Sequence, residues 1–121
     1  MSKQISFSKY EQKVLPNFRQ KISQAESTED VKKFFVYTVK ELLESIFAGK
    51  IDFKYEDIEL IPGKEPHYLL SKQFAFSDEF KSVWKDSDLP RLLSRLAETA
   101  VHRYKHLKKR PEKTEAKIRM K

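Results

Sequence analysis

The sequence predicts an α+β fold: a small antiparallel sheet of two to three strands packed against two long helices, in the order α-α-β-β(-β)-α-α. Three observations carry this. Apolar residues recur at helical spacing over residues 28–48 and again over 89–110. From Ile51 the apolar period drops to two, as in a half-buried strand. Pro62-Gly63 then divides that stretch into pieces of hairpin length.

The first helix opens at Ser8-Lys9-Tyr10-Glu11, which has capping-box spacing, and Tyr10, Val14, Phe18 and Ile22 follow four apart. Pro16 falls inside this pattern, so the helix either kinks there or ends at Leu15 and restarts with the proline in its first turn. A second helix starts at Ser27-Thr28-Glu29-Asp30, whose acids suit the positive end of the helix dipole. Its apolar face is Val31, Phe34, Phe35, Thr38, Val39, Leu42, Leu43 and Ile46, and Gly49 stands where a left-handed cap belongs.

Ile51, Phe53 and Tyr55 alternate with charged residues, as do Ile58 and Leu60, with a slip of phase near Glu56-Asp57 that implies a bulge or a turn. Residues 67–76 return as a further strand. Ser77-Asp78-Glu79 caps a short helix carrying Phe80, Val83 and Trp84. Asp88-Leu89-Pro90 opens the last helix, whose apolar face runs from Leu89 through Leu92, Leu93, Leu96, Ala97, Ala100 and Tyr104 to Leu107. Pro111 ends it, because the residue before a proline is pushed out of helical geometry. The expected core joins both long helices to Phe53, Tyr55, Ile58, Leu60, Phe74, Phe76 and Trp84. Residues 1–110 form one domain, and 111–121 a basic segment that is either disordered or docked as an edge strand, since Thr114, Ala116, Ile118 and Met120 alternate with charged residues.

Composition narrows the function classes. With no cysteine, disulfides, thiolate nucleophiles and the common structural zinc sites are excluded, and a reducing compartment is favoured. No apolar run approaches the ~20 residues of a membrane span, and the N-terminus has no signal-peptide core. The expectation is a soluble, cytoplasmic protein. Two glycines, Gly49 and Gly63, cannot build a phosphate-cradling loop, so no nucleotide cofactor is expected.

The excess charge is confined to one end. Residues 1–100 hold 16 Lys or Arg against 16 Asp or Glu, whereas 101–121 hold nine cations against two acids. At 100° per residue, Arg91, Arg95, Glu98, His102, Lys105 and Lys109 line up opposite the apolar stripe of the last helix, over roughly 27 Å. Apart from Glu98, these residues form the candidate anion-binding surface together with Arg103, His106, Lys108 and Arg110. The ordinary alternative is a solvated face whose cations favour a helix C-terminus. His102 and His106 have the i, i+4 spacing of metal ligands, but the surrounding cations would repel a divalent ion, so no metal site is assigned.

Residues 52–59 are acidic, with Asp52, Glu56, Asp57 and Glu59 around Lys54. Asp57 and Glu59, two apart on a strand, would share one face. The favoured role for these acids is the solvent side of an edge strand, followed by complementarity with the basic helix, with acid/base catalysis last. His67, after Pro66, reads as a strand or turn residue.

No catalytic residues are assigned. The expected function is a non-catalytic protein-interaction or adaptor module acting on a protein partner or as a homodimer, with no small-molecule substrate. The first alternative is nucleic-acid or polyanion binding through the basic face, and the last is an enzyme using residues 52–59 or His67.

Overall fold

A computed structural model describes residues 5–109. Helix α1, Ser8–Gln24, passes through Pro16 without a break. Pro16 is exposed, so the Gln12 carbonyl that loses its helical partner faces water, which can satisfy it. Val14, Phe18 and Ile22 are buried as the spacing predicts. The capping box is not formed. Phe7 is the residue preceding the helix, no side chain caps it, and Glu11 turns instead to Arg95. The entry to α1 is held from a distance: the Phe7 N–H and the Ser6 hydroxyl both donate to the Asp88 carboxylate, at 2.8 and 3.0 Å.

Helix α2, Thr28–Phe47, begins as its sequence dictates, with the Ser27 hydroxyl accepting the Asp30 N–H at 3.1 Å. It ends one residue early. Ala48 already takes the left-handed conformation at φ 53°, and Gly49 follows at φ 81°. Strands β1 (Ile58–Leu60) and β2 (Tyr68–Leu70) pair antiparallel, with Ile58 opposite Leu70 and Leu60 opposite Tyr68. Helix α3 spans Asp78–Lys85, capped by Ser77, and α4 spans Leu89–Lys109. The expected α+β order is observed, with two strands among the described residues.

Two of the alternating stretches are not strands. Ile51 to Lys54 is irregular, and Tyr55–Asp57 is a 3-10 turn that accounts for the slip of phase. The predicted strand over 67–76 stops at Leu70, and Lys72–Phe76 coils into a second 3-10 turn. The coil divides two rings that a strand would keep on one face: Phe74 is 4% exposed and Phe76 86% exposed. Tyr55 also lies outside the core, half-exposed and set edge-on to Tyr37.

The core is a three-helix assembly in which α2 packs on both α1 and α4, with the hairpin against α2. Val31, Phe35, Val39, Leu42, Leu43, Leu89, Leu92, Leu93 and Leu96 are essentially inaccessible there. An aromatic cluster of Phe47, Phe53, Phe74, Phe80 and Trp84 extends this core under the second 3-10 turn. Among the described residues, no helix is long and apolar enough to cross a membrane.

Candidate functional site

The basic face of α4 separates into residues that hold the fold and residues that face solvent. Arg95 makes a bidentate pair with Glu11: its Nη2 lies 2.8 Å from Oε1 and its Nε 3.3 Å from Oε2. The Glu11 side chain is only 9% exposed, so it depends on this guanidinium for its charge balance. Arg103 lies at the margin of the apolar stripe, half-buried, and its Nη2 donates to the carbonyl of Ala25 at 2.8 Å, with a buried Nε that has no partner among the described residues. Ala25 is the C-cap of α1, where a cation is favoured by the helix dipole. These two arginines therefore fasten α4 to the beginning and end of α1.

Arg91, His102, Lys105, His106, Lys108 and Lys109 are all exposed. Lys108 sits over the Tyr104 ring at 5.9 Å. Arg91, Lys105 and Lys109 have no ion-pair partner among the described residues. Arg110 and the alternating segment 114–120 lie outside the described residues. Among those described, no group of three His, Asp or Glu side chains gathers as metal ligands.

The acidic residues 52–59 do not form one face. Asp57 is buried and works as a cap: its Oδ2 accepts the Lys54 N–H and its Oδ1 accepts the Gln73 side-chain amide, both at 3.0 Å. Glu59 is exposed on β1. His67 sits in the hairpin turn at φ 75°, with Nδ1 3.1 Å from the Ile61 carbonyl. That contact fixes the turn and assigns the proton to Nδ1.

The structure also shows a site that residue spacing does not single out. A groove of about 510 Å³ runs between β2 and α3. Its walls are mainly apolar, formed by Tyr68, Leu69, Leu70, Phe74, Phe80 and Trp84, with the exposed Lys72 and Lys81 on its border. Leu69 is 57% exposed beside it, and Phe76 projects from the 3-10 turn that bounds it. The Tyr68 hydroxyl, 3.5 Å from the Pro90 carbonyl, is pushed up to about 12 by burial and stays a neutral phenol at ordinary pH. The groove wall carries no carboxylate and no imidazole. One signal for it does exist in the sequence. Leu69 belongs to neither helical face and is out of phase with Phe74 and Phe76 on the expected 67–76 strand, so its apolar surface has no predicted partner.

A second cleft, of about 520 Å³, lies between α1 and α4 and is polar, with Glu11, Arg19, Arg95 and Glu98 in its wall. Two of its charges, Glu11 and Arg95, already neutralise each other. No family model, curated protein or solved structure matches the chain, so its functional reading rests on these surfaces.

Proposed function

We propose that the protein is a non-catalytic interaction module that binds a protein partner through the apolar groove between β2 and α3. The observation that carries this reading is the groove itself: a concave, mainly apolar surface in which Tyr68, Leu70 and Trp84 are only half-buried and Leu69 is exposed, with Phe76 exposed on the 3-10 turn that contributes Phe74 to the wall. Leaving such a surface in water costs about 25 cal/mol per Å², which a partner would recover. Its wall offers shape and apolar area but no acid–base pair, which suits binding better than catalysis. A cytoplasmic setting belongs to the same proposal and is supported by the cysteine-free sequence.

The test is selection of peptides from a displayed random octapeptide library, on the native protein and on the variant Leu69→Thr/Phe76→Ser. Both changes are at exposed positions, and Thr suits a strand, so the variant should melt within a few degrees of the native protein. Sequences enriched on the native protein and absent on the variant are expected. Equal enrichment on both, or none on either, would overturn the reading.

A second reading, binding of nucleic acid or another polyanion, is favoured by Arg91, Lys105 and Lys109 along α4, exposed and without an ion-pair partner among the described residues. Its measure is the salt dependence of binding to duplex DNA, RNA and heparin.

A further inference from the structure

The groove has a property beyond its apolar walls: one of its borders is the unpaired edge of a β-strand. Across the hairpin, the Ile61 N–H donates to the His67 carbonyl at 2.8 Å and the Ser71 N–H to the Asp57 carbonyl at 2.8 Å. In an antiparallel ladder, hydrogen-bonded pairs alternate with non-bonded ones, so Glu59 and Leu69 are the bonded pair between them. The N–H and C=O of Tyr68 and of Leu70 must then point away from β1. No backbone partner meets them among the described residues. The lining of the groove agrees with this direction. It takes in Tyr68, Leu69, Leu70, Ser71 and Lys72 in unbroken succession. A groove against one face of a strand would touch alternate residues; contact with consecutive ones places it along the edge.

Resting on the proposed role of the groove, we propose that the edge of β2 accepts an extended segment of a partner protein as a third strand, apolar at alternate positions and flanked by carboxylates. The free backbone groups supply the hydrogen bonds and the aromatic wall of Phe80 and Trp84 takes the alternate side chains, which is the general chemistry of strand addition. An acyl chain would fill the apolar volume but leave those four backbone groups unmet.

Charge selects the kind of peptide. Lys72 has no ion-pair partner among the described residues, and Lys81 has only a long 3.8 Å contact to Asp78. Two accessible ammonium groups at the border attract an acidic segment and repel a basic one. A second copy pairing β2 with β2 would bring both copies' lysines to one interface. The chain's own residues 111–121 are also unsuited, carrying four cations against two acids.

The test uses the peptides selected on the native protein and replaces each backbone N–H in turn by N–CH₃. Strand addition predicts alternation: methylation at every second residue weakens binding about three- to tenfold, the loss of one hydrogen bond, and the intervening positions change it less than twofold. The double reversal Lys72→Glu/Lys81→Glu should move the selected flanks from acidic to basic. Groove-dependent peptides with no alternation would overturn strand addition while leaving the groove reading intact. Basic flanks on the native protein would overturn the charge assignment. A dimer seen by sedimentation and abolished in Leu69→Thr/Phe76→Ser would make a second copy the occupant and overturn the proposal.

Discussion

A single carboxylate shows how much of the local structure depends on geometry that spacing alone does not reveal. Asp57 and Glu59 are two residues apart, and alternation puts them on one strand face. The 3-10 turn instead points Asp57 inward, to accept from Lys54 and Gln73, and leaves Glu59 in water. Asp57→Ala should therefore cost about 2 kcal/mol in urea unfolding, since two donors lose a charged acceptor, and Glu59→Gln less than ~0.5 kcal/mol. Equal effects would return Asp57 to the surface. Tyr68 gives a second prediction at this scale. Burial raises its pKa from the ordinary 10.0 to about 12, so native and unfolded chains are both neutral below pH 10. Between pH 10 and 12 the unfolded chain ionises while the native one resists, and stability falls as pH rises. With the side chain only half-buried, the effect is on the order of 1 kcal/mol. Tyr68→Phe should abolish this part of the alkaline loss, measured by denaturant unfolding on either side of that window.

Among the elements, the helices were legible in the sequence and the short strands only partly so. A helix of 17 to 21 residues repeats its apolar face several times, so the 3.6-residue period is over-determined, and α2 and α4 form where that period places them. Strands of three residues carry no such redundancy. Phe74 and Phe76 satisfy a two-residue period by chance, and the packing of Phe74 between Phe53 and Phe80, at 5.0 and 5.1 Å, decides in favour of a 3-10 coil. This distinction is measurable. Phe74→Ala should destabilise by about 3–4 kcal/mol through the cavity it leaves, whereas Phe76→Ser should stay within ~0.5 kcal/mol. Comparable losses would mean that Phe76 packs in solution. Apart from the unpartnered Leu69, the groove is hidden from the sequence for the same reason. Its walls come from β2, the second 3-10 turn and α3, and no sequence period links the three.

For the whole molecule, the question is what the basic excess does. The sequence places it on α4, yet cannot tell a cation that binds a ligand from one that binds the protein itself. Arg95 and Arg103 reach α1 because that helix packs alongside α4 and brings Glu11 and the Ala25 carbonyl within range of the two guanidinium groups, a tertiary fact invisible to helical angle alone. The cations therefore fall into two sets with opposite expected phenotypes. Arg95→Ala should lower stability by about 2 kcal/mol, because it strands the buried Glu11 carboxylate. The triple variant Arg91→Gln/Lys105→Gln/Lys109→Gln should leave stability within ~1 kcal/mol, since exposed unpaired charges contribute little. That triple variant is the proper probe of polyanion binding, free of any fold defect. If the α4 face tracks a phosphate backbone with these three side chains, the slope of log K against log salt on duplex DNA should become shallower by about 3 in the variant, near 0.9 for each phosphate left without its cation. If the groove is the working surface, the slope on DNA should be small in both proteins, and peptide affinity should be unchanged by the triple substitution. Since none of the three cations lines the groove, and Lys105 and Lys109 stand toward the other end of α4, the two readouts are physically separable, and one set of variants distinguishes them.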